Sequence, residues 1–189
     1  KAEKSLGNDN MDIEVELNEF VGYENTESKS KIYHIETYDD KFIIFTEENP
    51  FYYEAGGQIS DKGVITIDGN SIEVIDVFQA SNGATGLIVD SDLFKVEQEV
   101  ELSVNKSFRS GVSKSHTGAH IVHSALRSTL GDHVAQAGSN VTPGKFRFDF
   151  SHTEKVSQEE LDEIFALSNS AVFEAVSYTH LRAHETYPH

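Results

Sequence analysis

Short apolar runs that alternate with polar residues, cut at intervals by turn residues, fill the chain from residue 13 to residue 105. That pattern confines this half to an antiparallel β architecture, because alternation with period two buries one face of a strand. Ile13, Val15 and Leu17 alternate with Glu14 and Glu16, which predicts a first strand. Lys31 to Tyr38 and Lys41 to Thr46 predict two more, joined at Asp39-Asp40. Val64 to Ile67 and Ser71 to Phe78 flank Asp68-Gly69-Asn70, a hairpin signal. Ala84 to Val89 and Glu99 to Val104 complete the set, with Val100, Leu102 and Val104 turned inward. Strands this short and this dense predict a small antiparallel barrel. Within it, Asn49 to Gly63 reads as a loop that Pro50 stiffens. Its Gly56-Gly57 pair permits positive φ, and Phe51 and Tyr52 read as aromatic plugs of the barrel turn.

The period changes after Asn105. Val112, Ala119, Val122 and Leu126 recur at helical intervals. On such a helix His116 and His120 lie one above the other on one face, the geometry by which one helix offers two imidazoles to a zinc ion. The same spacing also arises by chance among packed histidines. No Glu follows His116, which argues against the metalloprotease version of the motif. Gly131-Asp132 then breaks the helix, and His133 to Val141 and Lys145 to Phe150 predict paired strands around Thr142-Pro143-Gly144. Alternation turns Phe146, Phe148 and Phe150 to one side, and Arg147 and Asp149 to the other. Ser157 with Glu160 is a capping box for a second helix, whose predicted apolar face holds Leu161, Ile164, Phe165, Ala171, Val172 and Ala175. The fold class predicted is α+β: a β-barrel over 13–105, then a smaller α+β domain over 106–176.

No apolar run approaches a membrane span, and no signal-peptide pattern opens the chain. The absence of cysteine excludes disulfides and suits the cytosol, so a cytoplasmic location is expected. The formal charge of −17 is awkward for a nucleic-acid binder. From Leu102 to Gly131, however, there is no Asp or Glu, while Lys106, Arg109, Lys114 and Arg127 all fall there. That neutral-to-basic island is the expected approach surface for an RNA stem.

His116-Thr-Gly-Ala-His120, Ala125-Leu126-Arg127, Val134-Ala135-Gln136-Ala137-Gly138-Ser139 and Arg147-Phe148-Asp149-Phe150-Ser151-His152 together resemble the editing domain of the alanyl-tRNA synthetase family. Free-standing editing proteins share that domain, and threonyl-tRNA synthetases carry a more distant version. Asn49 to Gly63 resembles the glycine-rich signature of the same family's β-barrel. The resemblance covers roughly residues 10–176 and implies a truncated editing domain of the threonyl/alanyl-tRNA synthetase type.

The implied reaction is hydrolysis of the ester joining serine or glycine to tRNA for alanine. A synthetic pocket sized for alanine cannot strongly reject smaller glycine, so a second site must correct the error. The resemblance implies Zn2+ held by His116 and His120 plus a downstream Cys-x-x-x-His pair, so zinc is expected to bind tightly only in the longer protein. Zinc would either position the ester or activate water. ATP and Mg2+ would serve only a ligase domain outside this chain. Gln136 is implied to orient water or substrate, or it is simply a strand-edge glutamine. Thr117 either reads a serine hydroxyl or caps the helix. Gly56, Gly57 and Gln58 are implied to shape the amino-acid pocket. Arg147 has either a substrate-side role or a surface pairing with Asp149. Ala119 departs from the threonine common in the family before the second histidine, which weakens the inference about serine.

The partner expected is tRNA for alanine, with neither DNA nor membrane. The alternatives are a free-standing trans-editing hydrolase and a non-catalytic barrel module that binds tRNA or protein. Residues 1–12 read as a linker or cut end. Residues 177–189 resemble a translated sequencing adapter rather than native sequence, although they carry His180 and His184 at zinc-like spacing.

Overall fold

A computed structural model describes residues 13–185, with side chains to residue 175. The expected linker at 1–12 and the side chains of His180 and His184 lie outside the described residues. The chain divides into two compact units, Lys1–Ser113 and Lys114–His189.

The first unit is built on a seven-stranded sheet of β2 (Glu27–Tyr38), β3 (Lys41–Thr46), β5 (Gly63–Ile67), β6 (Asn70–Val74), β7 (Asp76–Gln79), β8 (Thr85–Val89) and β9 (Glu99–Val104). Its order is β6-β5-β9-β2-β3-β8-β7, and every neighbouring pair is antiparallel. The edge strands β6 and β7 are consecutive in the chain, separated by Ile75 alone. The sheet therefore curls until its two edges are joined by one residue. A short parallel pair, β1 (Glu19–Phe20) with β4 (Glu48–Asn49), lies outside it.

Two apolar layers hold the sheet. Ile32, Ile44, Phe51, Ile65, Leu87 and Leu102 belong to the larger one, Ile43, Phe45, Phe78 and Ile88 to the smaller. Successive residues of β3 and β8 thus enter opposite layers, so these strands are buried on both faces. By contrast β9 buries only Val100, Leu102 and Val104, with Glu99 and Glu101 exposed. Each fully buried Phe or Ile contributes roughly 1.5–3 kcal/mol.

Three expectations are corrected. Ile13 to Leu17 joins no ladder: Ile13 is buried but Leu17 is 70% exposed. Side chains substitute for a strand partner there, with Tyr33 donating to the Glu16 carbonyl at 2.6 Å and Asn82 to that of Val15 at 2.6 Å. The strand expected over Ser71 to Phe78 is two strands, because Ile75 leaves one edge and bonds instead to Ile88 (2.9 Å). The hairpin turn itself matches, with Asp68 and Gly69 at φ 48° and 80°.

Helix α1 (Lys106–Leu130) crosses the boundary between the units. Asn105 caps it by accepting from the Phe108 amide at 3.0 Å. In the second unit, β10 (Gln136–Thr142) and β11 (Lys145–Phe150) form an antiparallel hairpin, and α2 spans Gln158–Glu185. Ala125 and Leu126 of α1 pack with Val134, Ile164, Phe148 and Phe150. The capping box is present: the Ser157 amide donates to Glu160 at 2.8 Å and the Glu160 amide to Ser157 Oγ at 3.2 Å. The broad apolar face expected of α2 is the third correction. Ile164 is buried, whereas Leu161, Phe165 and Val172 are 48%, 72% and 47% exposed.

Candidate metal centre on helix α1

His116 and His120 meet as the four-residue spacing requires. Their Nε2 atoms are 3.1 Å apart and their rings stack with centroids at 5.0 Å and planes at 11°. His116 is half-buried and His120 exposed, so the pair opens on solvent. Zinc bonds imidazole nitrogens at about 2.0–2.1 Å, and two nitrogens this close can share one ion. Among the described residues no group of three or more His, Cys, Asp or Glu converges on one point. The donors present fit half of a zinc site.

His123, the third histidine of the cluster, serves packing instead. Its ring lies 4.9 Å from that of Phe148, and its Nε2 is buried without a partner.

Thr117 and His120 share a groove of about 390 Å³. Ser124 and Ser128 line its polar side, and Leu167 and Ala171 of α2 its apolar side. Phe146 of β11 packs against α1, since a Cβ placed on Gly118 would come within 3.3 Å of its ring. The hairpin therefore turns its phenylalanine face to the helix. Register then sorts the remaining candidates. Gln136 pairs with Phe150 and so shares the helix-facing side, where its amide donates to Ser139 Oγ at 3.1 Å. Arg147 lies on the opposite side with Asp149, donating to it at 3.1 Å. The hairpin thus separates Gln136 from Arg147.

Gly56, Gly57 and Gln58 form the tip of a tight turn in the first unit. Ala55 and Gln58 exchange backbone hydrogen bonds of 3.1 and 3.0 Å across Gly56 and Gly57, whose φ angles are 60° and 80°. Positive φ at both central positions is the demand that the Gly-Gly pair meets. The flanks of this loop are structural. Asn49 is fully buried and accepts from the Phe51 amide at 2.9 Å, and Phe51 is a plug with no exposed surface.

A pair that sequence reasoning missed lies at the base of the loop. Asp61, 2% exposed, takes the Arg109 Nε–H at 3.2 and 3.1 Å and also receives an Arg109 terminal nitrogen. The same guanidinium donates to the carbonyls of Gly22 and Pro50. Only the pairing of a motif aspartate with a cation from the supposed RNA surface would have hinted at it. The basic island is corrected accordingly. Arg109 is consumed inside the fold, Lys106 pairs with Glu27 at 2.7 Å, and Arg127 pairs with Asp132 at 2.8 Å. Carboxylates of Glu27, Asp61 and Asp132 thus offset three of the four cations of the stretch, and Lys114 is exposed.

A sequence profile described as tRNA synthetases class II (A) matches residues 1–108. The chain belongs to that family. Among individual relatives, it is similar to the alanine–tRNA ligase of Caldicellulosiruptor saccharolyticus, with 36% identity over 180 residues, 88% of this chain and 20% of the relative. The alanine–tRNA ligase of Listeria welshimeri is 38% identical over 84% of the chain and 19% of its own length. That of Bacillus velezensis is 38% identical over 83% and 19%. The chain spans about a fifth of the length of these relatives.

Proposed function

We propose that this chain is the part of an alanine–tRNA ligase that removes serine or glycine wrongly esterified to tRNA for alanine. In this reading the curled seven-stranded sheet is the family's β-barrel, and the second unit begins its editing domain. The observation that carries the proposal is the imidazole pair of His116 and His120, 3.1 Å apart and opening on solvent, with His120 lining a groove.

His116 and His120 would hold a zinc ion with further ligands from elsewhere in the protein. When bound, it supplies a fixed positive charge beside the reacting ester. The chain's own residues supply the rest. The hydroxyl of Thr117, in the same groove as His120, is placed to meet a hydroxyl of a seryl ester. Ser124 and Ser128 continue that polar edge, while Leu167 and Ala171 give the groove an apolar wall that limits the size of the group admitted. Gln136, on the helix-facing side of the hairpin, presents an amide that can hold a water or a substrate oxygen. Arg147 faces away and takes no part at the imidazoles. Attachment of alanine with ATP and Mg2+ is assigned to other parts of the ligase.

The test is hydrolysis of Ser-tRNA for alanine by the full-length ligase and by its His120→Ala variant. A loss of a hundredfold or more in the hydrolysis rate, with alanine attachment intact, is expected. Equal rates would leave the histidines as packing residues of a binding module.

A further inference from the structure

A second pair of imidazoles lies in the second unit, away from α1's histidines in sequence and on different elements. His133 Nε2 and His152 Nδ1 are 2.9 Å apart, with ring centroids at 5.1 Å and planes at 23°. His133 precedes β10 and is exposed; His152 follows β11 and is half-buried. The hairpin places them together. The Ser151 amide donates to the Ala135 carbonyl at 3.0 Å, and the Ala135 amide to Ser151 Oγ at 3.3 Å, so at its open end His152 directly follows this pair and His133 lies two residues before it. Gly131, at φ 110°, packs against the Nδ1 edge of His133, and a Cβ there would come within 3.1 Å of that atom. The His133 ring is thereby held with its Nε2 edge toward His152.

We propose that His133 and His152 form a two-imidazole site for a divalent late transition ion of the Cu2+ or Ni2+ type, with water completing its coordination. With ring centroids 5.1 Å apart the two nitrogens face each other almost head-on, and a modest turn of both rings lets metal–nitrogen bonds of about 2.0–2.1 Å converge on one ion across the 2.9 Å gap. The carboxylates nearby are engaged: Asp132 accepts from Arg127 at 2.8 Å, and Glu160 accepts from the Ser157 amide and hydroxyl at 2.8 and 2.9 Å. Imidazole suits this class of ion better than carboxylate does, and affinity peaks at Cu2+. Both rings bind as neutral imidazoles, with their protons on His133 Nδ1 and His152 Nε2, so the metal takes the place of the shared hydrogen bond. Binding joins the segment leading into β10 to the segment leaving β11 and ties the open end of the hairpin that carries Gln136.

The test is a Cu2+ titration of the full chain at neutral pH, followed by NMR of 15N-labelled histidine rings. Substoichiometric Cu2+ should broaden the His133 and His152 signals together. In His152→Gln, broadening of His133 should require at least tenfold more Cu2+, and in His133→Asn the same should hold for His152. The amide spectrum of β10 and β11 checks that each variant keeps the hairpin. Sharp His133 and His152 signals while other histidines broaden would overturn the proposal. So would undiminished broadening of the remaining ring in both variants. Neither result bears on His116 and His120, so this inference stands or falls apart from the proposed hydrolysis.

Discussion

Arg109 shows why charge counted along a chain misleads. Its guanidinium is 17% exposed and divides its donors among Asp61 and two backbone carbonyls. Removing one partner leaves the other charge buried without compensation, which typically costs about 3–5 kcal/mol. Arg109→Ala should therefore lower the stability of the chain by that amount in urea unfolding, whereas Lys114→Ala, at an exposed position, should leave it nearly unchanged. Tyr33 offers a second test. Burial first, then the charge of Glu16, raises its hydroxyl from 10.0 to about 12. The raised value means that its contribution is fully present below pH 10.0 and is lost as pH rises through about 12. Absorbance titration of tyrosine should show a late step near pH 12 that Tyr33→Phe abolishes.

At the scale of elements, local chemistry written in adjacent residues was legible. Asp68-Gly69 turned, Ser157 and Glu160 capped α2, and Gly56-Gly57 took positive φ as their lack of side chains permits. Gly57→Ala should destabilise by about 1–2 kcal/mol, the cost of holding a Cβ in the left-handed region. Asn105→Ala should cost about 1 kcal/mol by leaving α1's first amides uncapped; both are read as shifts in the urea midpoint. What depends on distant partners was not legible. Alternation in Ile13 to Leu17 looks like a strand, yet its backbone is held by Tyr33 and Asn82, which no local pattern announces. The apolar residues of α2 predict burial, but only Ile164 has a packed neighbourhood among the described residues. At the candidate site, helical spacing foretold the contact of His116 with His120. It could not tell that register would put Gln136 and Arg147 on opposite faces.

For the whole molecule, the charge of −17 and the pairing of Lys106, Arg109 and Arg127 remove the electrostatic basis for gripping arbitrary RNA. Fluorescence anisotropy with an unrelated RNA duplex should give a Kd weaker than about 10⁻⁴ M at physiological salt, the weak end of nonspecific binding. Under the proposed function, recognition of tRNA then rests on groups presented at the groove and on parts of the protein outside this chain. The proposed metal site is tested by zinc content per chain in the full-length protein, before and after His116→Ala with His120→Ala. The double variant should lose one zinc ion and its hydrolysis of Ser-tRNA together. Zinc content and hydrolysis both unchanged would contradict it.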